Sequence, residues 1–396
     1  MTHVTPRTKE NGKRKLLLPL TLTLLLLITS VLVMLRPASG ATAVAPAPRK
    51  ARIVQYVQDS STFPLTDDHA ADIDQLNYAF VLLKDGQADI SHMHSLDDAA
   101  RYLRRHPQIG GVLSVGGWGA DGFSEACATA SGRQLLCNSI LALMDEYGFV
   151  GVDIDWEYPG VSAGSIASSD GDVENWYSLL ALLRAGLDER EQLHGREYIL
   201  SVALGAGEDQ IAAVDGARLN DLVDQAVVMA YDLRGFDRMT GHHAGLYPDG
   251  ETILSGAWAV QSYLSRGLDA DRILLGVPQY GRMWRNVFSE TDGLHARAET
   301  SGNKIITHDE IASLIEDGYT RHIDENAHAP YLFNGSSFVS YDDAESARAK
   351  ADYILDHNLL GTALWAAGHD TSAALPAAFA EAFAPEAAVP DPEAAG

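Results

Sequence analysis

Apolar residues fall in short runs along this chain, and amphipathic stretches separate most of them. Strand-like runs occur at 52–57, 75–80, 111–115, 149–156, 198–203, 226–230, 272–277 and 361–365. Between them, apolar residues recur every three or four positions, as at 134–147, 174–187, 257–266 and 344–358, which is the helical period. Strands alternating with helices predict a parallel sheet. Eight such units over about 330 residues fit a (β/α)8 TIM barrel better than an open doubly wound sheet. A dinucleotide-binding fold is further disfavoured because no glycine-rich phosphate fingerprint follows the first strand.

The rhythm breaks once. The seventh and eighth runs begin 89 residues apart, too far for a single crossover. Within that gap, Thr307-His308-Asp309-Glu310 has capping-box spacing ahead of the apolar segment 311–315, and strand-like pieces lie near 320–323 and 331–333. A small α+β insertion at about 285–338 is therefore expected between strands seven and eight of a domain spanning 51–384. Residues 385–396, rich in Pro, Ala and Glu, read as a disordered tail.

The N-terminus has a different pattern. Arg7, Lys9, Lys13, Arg14 and Lys15 precede an almost wholly apolar run at 16–35, then Arg36-Pro37 and small residues. This predicts an export signal over 1–43, cleaved after Gly40 or Ala43 and followed by a linker at 44–50. At ~1.5 Å per residue the run is also long enough to stay as an uncleaved membrane anchor. Both alternatives place the remaining chain outside the cytoplasm, secreted or at the cell surface.

With 396 residues, 46% apolar and 21% charged, the chain has ample core for one large domain carrying an insertion. Its formal net charge is −25; six basic residues and one acidic residue lie in 1–43, so the remainder carries about −30. That charge disfavours nucleic acid and anionic membranes as partners, leaving membrane contact to the N-terminal segment alone. A monomer is expected. Cys127 and Cys137, the two cysteines, form either a disulfide worth about 3 kcal/mol or a pair of buried thiols. Two cysteines cannot by themselves build a structural zinc site.

The candidate chemistry is concentrated at 149–159. Asp153, Asp155 and Glu157 alternate with Val152, Ile154 and Trp156, so on a strand the three carboxylates share one face. Packed together they repel, and burial raises their pKa values, which makes the row costly unless protons are shared. The competing explanation is a solvated acidic edge strand. In a barrel the C-terminal strand ends face the mouth, which puts Glu157 at the mouth with Asp155 and Asp153 behind it. Alternate residues sit ~6.6 Å apart on one side of any substrate, whereas an ordinary retaining glycosidase flanks the scissile bond with its two carboxyls. One proton donor with a supporting relay, and a nucleophile from elsewhere, fits the spacing better.

The row resembles the Asp-Gly-x-Asp-x-Asp-x-Glu signature of glycoside hydrolase family 18, the chitinases and their relatives. The resemblance extends over most of 51–375. Ser114-Val115-Gly116-Gly117-Trp118 looks like the family's third-strand motif, Met229-Ala230-Tyr231-Asp232 its sixth, and Gly276-Val277-Pro278-Gln279-Tyr280-Gly281-Arg282 its seventh. Trp365 falls where the family has the aromatic floor under the reacting sugar. Tyr331 and Ser340-Tyr341-Asp342-Asp343 resemble the close of the insertion in the deep-cleft subgroup.

The resemblance implies hydrolysis of chitin or chitooligosaccharides by substrate-assisted catalysis, with no metal or organic cofactor. Glu157 would be the acid and base, Asp155 would steady the acetamido group, Asp153 would share a proton with Asp155, and Tyr231 would bond the acetamido oxygen. Sugar contacts are expected from Gly117, Trp118, Met229, Asp232, Tyr280, Arg282 and Trp365. Tyr56 and Phe80 are read as cleft wall, with packing as the alternative. Three positions depart from the family pattern: Val150, Gln279 and Thr362. Val150 is expected to affect stability, and the other two subsite detail. His242-His243 reads as loop packing over a metal site. An endo-β-N-acetylglucosaminidase and a non-catalytic chitin-binding lectin remain as alternative functions.

Overall fold

Eight parallel strands close into a barrel: Arg52–Gln58, Gln75–Lys84, Gly110–Gly116, Gly151–Asp155, Ile199–Leu204, Gln225–Val228, Ile273–Pro278 and Gly361–Ala367. Each pairs with the next along the chain, and the eighth pairs with the first, so the barrel closes on itself. The structure is a computed structural model and describes residues 50–385. The expected signal or anchor at 1–43, nearly all of the linker at 44–50 and the tail beyond 385 lie outside the described residues. Among the described residues no helix is long and apolar enough to cross a membrane.

The strands are buried on both faces because both are covered. Outward side chains meet helices such as Ala130–Tyr147, Asp172–His194, Gly256–Ser265 and Ala344–Asp356 in one continuous core. Inward, a smaller cluster of Val54, Tyr56, Ala79, Val227, Leu274, Ala363 and Ala366 fills the barrel. Its polar layer is linked across the barrel: the Gln75 amide donates to Asn77 at 2.7 Å and exchanges hydrogen bonds with Gln225 at 2.9 and 2.7 Å. Residue choice sets helix ends locally. Thr307 and Glu310 form a reciprocal capping box at the start of His308–Glu316, and Gly148, at φ +77°, ends Ala130–Tyr147.

The insertion is a five-stranded antiparallel sheet in the order Lys304–Thr307, Tyr280–Arg285, Ser337–Ser340, Ala329–Phe333, Thr320–Asp324. A short hairpin, Val287–Phe288 with Arg297–Ala298, extends it. The sheet starts at Tyr280 and ends at Ser340, wider than the 285–338 read from the sequence. Only Gln279 separates its first strand from the seventh barrel strand, and the chain stays extended through both, so the apolar pattern shows no break there. The fourth strand is also shorter than its apolar run: it starts at Gly151 and stops at Asp155.

The cysteines are not bonded to each other. Cys127 and Cys137 lie on separate helices, Phe123–Cys127 and Ala130–Tyr147, and each packs into the core as a buried free thiol. Burial pushes the two thiols up to about 12 and about 11, so they behave as small apolar side chains.

Candidate active site

The fourth strand positions the carboxylates. Asp153 lies opposite Ser114 on the third strand and Ser201 on the fifth, while Asp155 lies opposite Gly116. Asp153 is wholly buried, and its Oδ2 accepts from Ser114 Oγ at 2.7 Å and the Tyr56 hydroxyl at 3.0 Å. Its Oδ1 and the Oδ1 of Asp155 are both buried without a partner among the described residues. Burial raises Asp153. Burial also pushes Asp155 well above the carboxylate range, with the charges of Glu157 and Asp153 adding to it. Glu157, 9% exposed, is pushed up to about 7 by burial, against the opposing Tyr158 hydroxyl and with reinforcement from Asp232. Tyr231 keeps its proton: burial and the nearby Asp155 and Glu157 raise its hydroxyl well above the usual value.

Two glycines make this placement possible. Gly116 has φ +119°, and a Cβ there would stand 2.0 Å from the Asp155 carbonyl oxygen. Gly117 has φ +95°, its N–H donates to that same carbonyl at 2.8 Å, and a Cβ would meet the Phe80 ring at 2.5 Å. Any other residue at these positions would push the third strand away from Asp155 or from the cleft wall.

A further acid, Asp232, lies just past the end of the sixth strand with its side chain about 33% exposed. Asp232 accepts from the Tyr280 hydroxyl at 2.7 Å and from Arg282 Nε at 2.6 Å, with Arg282 Nη2 2.6 Å from its other oxygen and His243 Nδ1 at 3.6 Å. Burial alone would raise it, but His243 and Arg282 hold it well below the usual carboxylate range. Arg282 in turn lies over the Phe236 ring, 4.8 Å from its centre.

These groups open onto a cleft of about 980 Å³. Its floor is Trp365, stacked on Phe80 at 5.2 Å and tilted against Tyr56 at 5.7 Å. Asp155, Glu157, Phe80, Gly117, Trp118, Met229, Tyr231, Asp232, Tyr280, Arg282 and Trp365 all line it, and Trp118 is 62% exposed. Asp153 and Tyr56 do not line it. Tyr56, expected as cleft wall or packing, is packed beneath Trp365, where its hydroxyl is engaged by Asp153. Several cleft residues escaped the sequence reading: Tyr158, Gln210, Phe236, Asn303, Ile305 and His369. They come from loops, the insertion and, for Gln210, the six-residue helix Glu208–Ala213, all too short or irregular for periodicity to mark a facing side chain. Only Phe236, a large aromatic beside a glycine in a polar loop, carries a signal.

The family departures have local explanations. The Gln279 side chain is buried away from the cleft, where its carbonyl accepts from Gln55 Nε2 at 2.7 Å. The Thr362 hydroxyl donates to the Leu275 carbonyl at 3.0 Å. Val150 sits just before the fourth strand, outside the row. His242 pairs with Asp324 at 3.1 Å and His243 faces Asp232, so the two adjacent histidines serve different neighbours. Among the described residues, His308, Asp309 and Asp370 bring donor atoms close enough for a metal. Their carboxylates already accept from the Thr371 hydroxyl, the Ser372 hydroxyl and backbone N–H groups starting the helix Ala374–Ala382, which fits a structural role.

A closed parallel barrel with an acidic row and an aromatic floor at its C-terminal mouth places the chain in the (β/α)8 class whose working site is built on strand ends. The family model for glycosyl hydrolases family 18 matches residues 52–370, and the chain belongs to that family. It is 35% identical over 306 residues to chitinase A1 of Niallia circulans, covering 71% of this chain and 43% of that protein. It is 33% identical over 284 residues to chitotriosidase-1 of Mus musculus, covering 66% of this chain and 58% of that protein. The chain thus spans about half the length of these curated relatives. Among solved structures, a family 18 N-acetylglucosaminidase from Paenibacillus barengoltzii superposes with TM-score 0.80 at 34% identity, covering 84% of this chain and 99% of that one. A family 18 chitinase from Cycas revoluta in complex with (GlcNAc)4 superposes with TM-score 0.76 at 25% identity, covering 84% and 100%.

Proposed function

We propose that the protein is an exported chitinase that cleaves β-1,4-linked N-acetylglucosamine in chitin or chitooligosaccharides with retention of configuration. The observation that carries this reading is the buried Asp153–Asp155–Glu157 row beside Tyr231, with an Asp155 oxygen left unpartnered. A carboxyl held protonated near neutral pH is suited to acid catalysis, and Glu157 fills that role. Glu157 gives its proton to the glycosidic oxygen as the bond to the anomeric carbon breaks. The acetamido oxygen of the same sugar attacks that carbon, forming a cyclic oxazolinium ion. Asp155 accepts the acetamido N–H and balances the positive charge, and Tyr231 donates to the acetamido oxygen. The unpartnered oxygens of Asp153 and Asp155, on adjacent same-face positions, suit one shared proton. Glu157, now a carboxylate, takes a proton from water as that water attacks the anomeric carbon, and two inversions leave the configuration unchanged.

Similarity to chitinases supports this substrate, and the Trp365 floor suits a sugar ring. The reaction calls for no cofactor or metal. Export rests on the basic-then-apolar pattern of residues 1–43, either cleaved or kept as an anchor, and we expect a monomer. A second reading, removal of single N-acetylglucosamine units from chain ends, is favoured by the similarity to the Paenibacillus barengoltzii protein.

The test is to incubate the full-length protein with chitohexaose beside Glu157→Gln, following product anomers by NMR and product lengths by mass spectrometry. Early β-anomer from the wild type alone is expected. Early α-anomer, or equal turnover by Glu157→Gln, overturns the mechanism. Monomer as the sole early product selects the second reading, whereas dimers and trimers select the first.

A further inference from the structure

The insertion's short hairpin presents an exposed row that the catalytic site does not use. Phe288 pairs with Arg297, and Arg297 also pairs with Met239 of the loop after the sixth barrel strand. Thr240 and Ala298 add backbone bonds of 2.9 Å to Ala296 and 2.8 Å to Arg238, making the loop a third strand of this small sheet. Residues directly opposite across antiparallel strands point to the same face, so Phe288, Arg297 and Met239 stand side by side over ~10 Å. The other face is spoken for: Val287 and Ala298 are buried against Trp284, Tyr331 and Phe338. The outer face is open, with Phe288 62% and Met239 40% exposed. Arg297 is exposed as well and forms no ion pair among the described residues.

Single exposed apolar residues are ordinary, but this row is joined to a loop that lines the cleft. Phe236 lines the cleft and is 64% exposed, and the same loop reaches Met239 three residues later. Trp284 anchors that loop from below, its indole N–H donating to the Asp237 carbonyl at 3.1 Å. Phe236 at the cleft and Met239 at the hairpin thus belong to one loop, and the acid between them, Asp237, is paired with Arg234 at 3.3 Å. The chemistry offered suits an uncharged polysaccharide. An aromatic face and a thioether cover sugar C–H surfaces, and a free guanidinium has five N–H donors for hydroxyl and acetamido oxygens.

Building on the proposed activity, we propose that Phe288, Arg297 and Met239 form an auxiliary subsite for the part of a long N-acetylglucosamine chain that leaves the cleft past Phe236. Short oligomers end before reaching it, whereas polymeric chains lie across it. The subsite adds affinity for long chains and leaves the bond-breaking step untouched.

The experiment compares full-length wild type, Phe288→Ala and Arg297→Gln on chitotriose and on colloidal chitin, and repeats chitin pull-downs with each change in a Glu157→Gln background. Melting temperature and far-UV circular dichroism check the fold. Expected are unchanged turnover of chitotriose and about fivefold weaker binding and slower hydrolysis of colloidal chitin for Phe288→Ala, with a smaller loss for Arg297→Gln. Equal performance of variants and wild type on colloidal chitin overturns the subsite, as does a proportionate loss on chitotriose. If the wild type cleaves neither substrate, the chitinase reading itself fails, which the chitotriose arm reports independently.

Discussion

Three acids face the same cleft from two parts of the barrel, and the two sides end with opposite acidities. Asp155 on the fourth strand and Glu157 just past its end have hydroxyls and other carboxyls for company, and both are raised. Asp232, just past the end of the sixth, has its side chain about 33% exposed, and Arg282 and His243 hold it low. Burial alone therefore does not set the proton; the neighbours do. The barrel supplies the carboxyls, and the insertion supplies the cation, since Arg282 belongs to the insertion's first strand. One wall of the cleft is built to hold a proton and the other to hold a charge.

The largest effect should come from removing the held proton. Glu157→Gln is expected to lower kcat on chitohexaose by about 10²–10⁴-fold with little change in KM, measured by initial rates. Asp155→Asn should cost about 10²-fold, again mainly in kcat, because the acetamido group loses its charge partner. Arg282→Met would erase the contrast from the other side. The Asp232 charge would then stand unbalanced, its field on Glu157 would grow, and the alkaline limb of the kcat/KM profile, expected near pH 7 in the wild type, should move to higher pH. A profile unmoved by Arg282→Met would mean that the two acids are independent.

A smaller effect concerns stability. The Glu157 pKa is raised from 4.5 to about 7, so between these values the folded protein holds a proton that the unfolded chain releases. Stability should therefore fall as pH rises through that window and level off above it, by on the order of 1–3 kcal/mol from this group. Glu157→Gln should flatten that decline and melt higher than wild type at pH 8, as read by calorimetry.

The sequence was most informative where period and chemistry coincide. The eight barrel strands are buried on both faces and mostly apolar, and their runs mark them to within a few residues. Alternation alone put Asp153, Asp155 and Glu157 on one face. The strand ends were less visible: the fourth strand stops at Asp155 because the Gly116–Gly117 backbone turns against its carbonyl, which is a tertiary contact. The start of the insertion was hidden because the chain stays extended from Pro278 to Arg285. Tyr56 shows the limit of reading orientation as exposure, since it points inward as its strand position requires but Trp365 covers it. The pairing of Asp232 with Arg282 joins residues 50 apart, and no local pattern announces such a partner.

The absence of any loop between the seventh barrel strand and the insertion has a mechanical consequence. With a single residue joining Pro278 to Tyr280, the insertion is a lever clamped to the barrel stave, and Tyr280 and Arg282, two of the three side chains that hold Asp232, ride on its fixed end. Loosening of the five-stranded sheet by heat would release that grip while the barrel still stood. Loss of turnover should then precede the main melting transition, and a temperature ramp would show an intact but silent protein in the interval.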